Sequence, residues 1–329
     1  MDGAGRPSGA EHGSAALNDK MTQIPQIAEK YTGAINEVAI GKGDYVAGGG
    51  NGLPFLSFEN KSKSRPMIAG EVWDDITDFP QIAADMFSGR QKDPVEWATM
   101  WKEIGADIIC LRLVSTDPSK KNTSAKDAAA LVQRISDKTD LPIMVCGSGS
   151  IEKDIEVLTE VCNTVKDTRL IISKVDECEY KKLAAAAMAN NHVILGFSNL
   201  DVNLAKQMNI LLKDYGLENK DVVMDPLMAA LGMGLDYSYS VNERIRNGAL
   251  YGDKMLQVPM VCDCTGSWDV GDATSEDDGT IGDVTFRATW WEVITATAAM
   301  VSGADVLIVR GAPAADMIKV YASELTEVL

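Results

Sequence analysis

Histidine is nearly missing from this chain: among 329 residues only His12 and His192 carry an imidazole. That scarcity excludes a histidine-rich metal centre and leaves few groups that titrate near neutral pH by default. No apolar run approaches the ~18 residues that suggest a membrane-spanning helix. Positive charge is also in short supply, with 31 Lys plus Arg against 48 Asp plus Glu and a formal net charge of -17. Such a field repels a phosphate backbone, so nucleic acid is not an expected partner. The six cysteines, Cys110, Cys146, Cys162, Cys178, Cys262 and Cys264, have neither the spacing of a disulfide framework nor the paired spacing of a zinc or iron–sulfur site. They read as buried thiols in a reducing compartment, and the expected location is the cytoplasm. The opening residues are rich in Gly, Ala and Ser and lack the apolar centre of a signal peptide, so residues 1–20 are expected to form a disordered tail.

What is present is an ordinary globular composition, 46% hydrophobic with 28 Gly and 11 Pro. Eight apolar strand candidates begin at residue 67: 67–72, 108–114, 143–146, 170–173, 192–196, 222–224, 260–262 and 306–309. They are continuous runs rich in β-branched residues, the pattern of parallel strands buried on both faces. Each is followed by an amphipathic helix candidate, at 95–104, 125–136, 151–165, 180–188, 203–215, 240–250, 288–301 and 313–325. Ala128, Leu131, Val132 and Ile135, for example, recur at the three-and-four spacing of one helix face. Eight strand–helix units over residues 67–329 predict an α/β fold, a closed (β/α)₈ TIM barrel. An open doubly wound sheet is the rival, but its early Gly-rich turn is not visible. Residues 21–66 read as an N-terminal hairpin extension covering one end, with strands at 37–40 and 45–47, a Gly-rich turn at 48–52 and an extended piece at 55–58.

In a barrel of this kind the chemistry sits where the strands run into their following loops. Those positions hold Glu71, Asp74, Arg112, Ser115, Lys174, Asp176, Ser198, Asn199, Asp201, Asp225, Arg310 and Gly311, with Gly147–Ser150 after strand three and Cys262–Gly266 after strand seven. Lys174 as a Schiff-base lysine is disfavoured by Asp176 and Glu177, and an ion pair with those acids is the plainer reading. Glu71 and Asp225 lie on non-adjacent strands, so an acid–base pair does not follow from their order. Asp225 reads better as a cap accepting backbone N–H groups. Arg310 could receive an anion or close a salt bridge. The loop after strand six is the longest distinctive stretch: Gly232 and Gly234 permit tight turns, while Tyr237 and Tyr239 offer flat contact area for a planar group or a partner. No nucleophile, base and orienting group support one another, so no catalytic residue and no metal ligand is assigned. The expected role is to hold or cover something supplied by another protein.

The stretch at 225–256, DPLMAALGMGLDYSYSVNERIRNGALYGDKML, closely resembles the small subunit of the corrinoid/iron–sulfur protein, the delta subunit family of the acetyl-CoA decarbonylase/synthase complex. GLPFLSFE at 52–59, RPMIAGEV at 65–72, LDVNLAKQMNIL at 200–211 and WEVITATAA at 291–299 support it in order. The resemblance implies a barrel paired with a larger corrinoid/iron–sulfur subunit that carries the [4Fe–4S] cluster and grips a cobamide. It implies transient contacts with a methyl-pterin methyltransferase and with acetyl-CoA synthase, between which the cobamide shuttles a methyl group. Carried onto this chain, Asp225, Gly232, Gly234, Tyr237 and Tyr239 would face the partner and the corrinoid, with Arg310 beside them at the mouth. Two departures touch that mouth: the segment 264–278 is more acidic and Gly-rich than in the family, and Gly311 follows Arg310 where the family commonly has histidine. The alternative is an enzyme, a barrel that binds methyl-pterin itself through Asn199, Asp201, Asn203 and Asp225. A third, blander reading is a scaffold that never approaches a cofactor.

Overall fold

The computed structural model of the protein describes residues 28–56, 65–275 and 279–328. The chain divides into two compact units, Met1–Lys30 and Tyr31–Leu329. The expected tail at 1–20 lies outside the described residues.

Within Tyr31–Leu329, eight parallel strands form one sheet: β3 (Met67–Trp73), β4 (Ile108–Arg112), β5 (Ile143–Cys146), β6 (Ile171–Val175), β7 (Val193–Phe197), β8 (Val222–Asp225), β9 (Val261–Asp263) and β10 (Val306–Val309). Their order is β8-β7-β6-β5-β4-β3-β10-β9. A single parallel bridge, Met224 with Met260, joins the two ends into a ring. The barrel expected from the eight buried runs is therefore present, and its alternation explains them. One side chain set, including Ala69, Cys110, Met144, Leu195 and Ile308, fills the interior. The other, including Ile68, Leu111, Val145, Ile172 and Ile194, packs outward on the helices. With both faces covered, neither set has a reason to be polar. Gly70 sits where helix Pro94–Ile104 comes closest, because a Cβ there would lie 2.2 Å from the Trp101 ring.

The N-terminal hairpin, β1 (Val38–Ile40) and β2 (Tyr45–Ala47), is antiparallel and plugs the amino-terminal end of the ring. Val38, Ile40 and Ala47 belong to the same interior cluster as the strand residues. Gly41 and Arg169 exchange N–H···O bonds of 2.9 and 2.7 Å, and the Arg169 guanidinium donates to the carbonyls of Ala39 and Asn191 and to Asp221. His192, at this end, is buried; its Nδ1 accepts from Leu170 N–H at 3.2 Å. Burial holds its pKa below the usual value, so it is a neutral structural histidine.

Three expectations change. The helix after β8 begins at Leu235, not at residue 240, so both tyrosines lie on a helix rather than in a loop. Phe55 takes a positive φ of 61° within a turn instead of extending. Cys178 is exposed, while the other five cysteines are buried. Among the described residues no helix is long and apolar enough to cross a membrane.

Candidate functional site

The carboxyl ends of the strands bring the chemistry-bearing residues of the chain to one mouth. Because side chains alternate along a strand, the inward positions of β3, β4, β8, β9 and β10 continue upward into Glu71, Arg112, Asp225, Asp263 and Arg310. Glu71 is fully buried and holds two guanidiniums at once. It accepts from Arg310 Nε at 2.6 Å and from Arg112 Nε. Arg112 reaches on to Asp263 at 2.6 Å, and Asp263 accepts from the Thr265 hydroxyl at 2.6 Å. Burial alone would raise the Glu71 carboxyl, but the Arg310 and Arg112 charges outweigh it and hold the pKa below the usual range. Arg310 also lies over two rings, 5.4 Å from Phe79 and 5.7 Å from Trp73, the geometry of a cation–π contact. Of the two readings of Arg310, the geometry is the salt bridge.

Asp225 stands apart from this chain of ion pairs. Its Oδ1 accepts the Leu227 N–H at 2.8 Å, the cap expected of it, and among the described residues no cation forms a salt bridge with it. Burial pushes its carboxyl up to about 6, against the Leu227 N–H bond and the more distant Lys174. Lys174 does not pair with Asp176 or Glu177. Its ammonium lies 3.5 Å from the centre of the Phe197 ring, at a register shift in β6 between Ser173 and Val175. Asp176 instead accepts N–H groups from Cys178 and Glu179 in its own turn. Asp201 caps the helix Val202–Tyr215, accepting from Asn203 N–H at 2.7 Å and Leu204 N–H at 3.1 Å, so its carboxylate is spent on the backbone. Deeper in the barrel the Cys110 and Cys146 sulfurs are 3.7 Å apart. The Cys110 hydrogen bond and then Arg112, working against burial, hold the Cys146 thiol below its usual pKa.

The rim residues are arranged differently. Gly232 and Gly234 have φ of 81° and 97°, left-handed positions that a side chain would strain, and they deliver the chain into helix Leu235–Leu250. Tyr237 is 69% exposed on the first turns of that helix. Tyr239 is half-buried, and burial followed by the neighbouring Glu243 raises its hydroxyl pKa. Residues two apart on a helix do not share a face. The two tyrosines therefore lie on different faces of the helix. Met233 and Phe286, 66% and 62% exposed, add apolar surface on the loop after β8 and on helix Val284–Ser302.

The sequence reading placed Asp263 only within the stretch Cys262–Gly266 and did not single out Glu292. Asp263 gave no signal beyond its strand-end position. Glu292 had one: it is an isolated acid inside the apolar run Trp290-Trp291-Glu292-Val293-Ile294. It is fully buried and accepts the backbone N–H groups of Arg310 at 2.6 Å and Gly311 at 2.8 Å.

Known proteins share both the sequence and the fold. A protein of Methanopyrus kandleri described as acetyl-CoA decarbonylase/synthase complex subunit delta is 33% identical over 286 residues, covering 86% of this chain and 71% of that one. The subunit delta 1 of Methanosarcina thermophila is 34% identical over 303 residues, covering 87% and 69%. Among solved structures, dihydropteroate synthase of Xanthomonas albilineans with 4-aminobenzoic acid superposes with a TM-score of 0.55 at 15% identity, over 82% of this chain and 97% of that one. The Vibrio fischeri 7,8-dihydropteroate synthase gives 0.56 at 15% identity, over 82% and 97%. Likeness at that identity concerns the fold alone. The family described as CO dehydrogenase/acetyl-CoA synthase delta subunit matches residues 37–323, and this chain belongs to it.

Proposed function

We propose that the protein is the small subunit of a corrinoid/iron–sulfur methyl carrier. In this reading it covers a cobamide that a larger subunit, bearing the [4Fe–4S] cluster, mainly holds. Methyl groups then pass between a methyl-pterin methyltransferase and acetyl-CoA synthase. The observation that carries the reading is the internal saturation of the mouth. Glu71, Arg112, Asp263 and Arg310 neutralise one another, so none of the four is left as a free base, nucleophile or anion receptor. Such a floor suits a lid better than a reaction vessel.

The rim suits what a lid must touch. Tyr237 and Met233 offer exposed apolar contact beside the mouth, and Asp225 offers a carboxyl that accepts or donates according to its protonation. When bound, the cobamide supplies the carrier chemistry; this chain excludes water from one face and orients it. Co-expression with the larger subunit tests the reading. The isolated chain is expected to be colourless, and the pair to retain stoichiometric corrinoid that Tyr237→Ala weakens. Tight stoichiometric binding of a cobamide by this chain alone would contradict it.

A second reading is a barrel that binds a reduced pterin itself. Asp225 favours it, being a buried carboxylate at the mouth with no ion-pair partner among the described residues, in a fold shared with dihydropteroate synthases. Calorimetry with a reduced pterin separates the two: saturable heat abolished by Asp225→Asn supports the enzyme, and no heat supports the carrier.

A further inference from the structure

TIM barrels frequently receive a phosphate in the loops after strands seven and eight, on backbone N–H groups at the start of a helix. This chain has that equipment. The N–H groups of Arg310 and Gly311 point together just ahead of helix Ala312–Val328, with the Arg310 guanidinium beside them. Both parts are already occupied by side chains of the same molecule. The Glu292 carboxyl, brought in from helix Val284–Ser302, takes the two N–H groups at 2.6 and 2.8 Å, and these bonds oppose the burial that pushes its pKa up to about 7. Glu71 takes the guanidinium at 2.6 Å. Residue 311 is built around the first of these, since a Cβ there would lie 2.9 Å from Glu292 Oε2 and 3.0 Å from the Trp268 ring. With Glu292 fully buried, a ligand anion cannot enter without displacing that side chain from the protein interior.

We propose that Glu292 is a specificity-determining residue of the mouth: an internal carboxyl that fills the barrel's phosphate cradle. This end of the mouth therefore leaves no place for a phosphate or carboxylate group of a ligand, and only an uncharged part of a ligand can lie against it. The inference rests on the reading of the mouth as a ligand-covering surface and narrows the chemistry of what it covers.

Inorganic phosphate and pyrophosphate are the probes, with the full chain as wild type, Glu292→Ala and Glu292→Gln. Calorimetry and the thermal midpoint are read at increasing probe concentration. Wild type is expected to give no saturable heat and no rise in midpoint. Glu292→Ala vacates the cradle and is expected to bind phosphate and regain part of its lost midpoint as phosphate is added. Glu292→Gln, close to isosteric, still fills the space although its carboxamide oxygen can accept from only one of the two N–H groups, and is expected not to respond. If Glu292→Ala does not fold, the wild-type amide resonances of Arg310 and Gly311 carry the test: they should stay unmoved by phosphate. Phosphate-dependent shifts of those amides, phosphate stabilisation of wild type, or a folded Glu292→Ala that never responds would each overturn the proposal. None of these outcomes involves cobamide or the larger subunit, so failure here is distinguishable from failure of the carrier reading.

Discussion

Replacing Glu71 by glutamine removes the charge that separates two guanidiniums in the barrel mouth. Glu71 is fully buried and the Arg310 side chain is 6% exposed, so water cannot take over the pairing. Breaking one partner out of a buried pair destabilises by about 3–5 kcal/mol, because the remaining charge stays desolvated. Here two cations are left facing each other, and Arg112 keeps only Asp263 as an ion-pair partner. Unfolding entropy scales at ~2.1 cal/mol/K per residue, so for 329 residues this loss corresponds to a fall of about 4–7 °C in Tm. Thermal and urea unfolding of Glu71→Gln, with Arg310→Gln and the double variant, measure it. The double variant is expected to lose less than the sum of the singles, by roughly 0.5–3 kcal/mol of coupling. The pH dependence has a definite sign. The folded pKa of Glu71 lies below its unfolded value, so its contribution is fully present above that unfolded value and is lost as pH falls through the folded one. A Glu71→Gln midpoint within about 1 °C of wild type, or additive single variants, would refute the reasoning.

Asp225 carries the opposite sign. Its folded pKa of about 6 lies above the unfolded value, so the folded state takes up the proton first and stability falls as pH rises through that interval. Asp225→Asn should match wild type below pH ~4 and exceed it by about 3 kcal/mol above pH ~6, as read by urea unfolding across the range. Gly311→Ala places a methyl 2.9 Å from Glu292 Oε2 and should destabilise by about 1–3 kcal/mol in the same assay. Ile40→Ala removes a fully buried side chain from the hairpin plug. It should lower stability by about 2–5 kcal/mol in a single transition, whereas a separate hairpin transition would show that the plug folds independently.

The barrel was legible because burial on both faces leaves an unmistakable mark: runs such as Ile143–Cys146 and Val306–Val309 have no polar alternation to mislead. The early start of helix Leu235–Leu250 was hidden by its composition, since Tyr, Ser and Asp are poor helix formers and Gly234 stands as the N-cap. The ion pairs of the mouth were visible only as strand-end residues. Glu71 is 41 positions from Arg112 and 239 from Arg310, so no local spacing announces their pairing. Ring closure, a property of the whole chain, is what brings them together. Lys174 went the other way: its nearest acids in sequence suggested an ion pair, but at the register shift in β6 it lies over Phe197 instead.

The most direct measurement is an electron cryo-microscopy structure of this chain bound to the larger subunit purified with its corrinoid. The account predicts the corrin ring over the carboxyl ends of β3–β10, with Tyr237 at its edge and the Glu71–Arg310 pair intact beneath it. A partner docked on the hairpin end, with the corrin remote from the Asp225 loop, would contradict it.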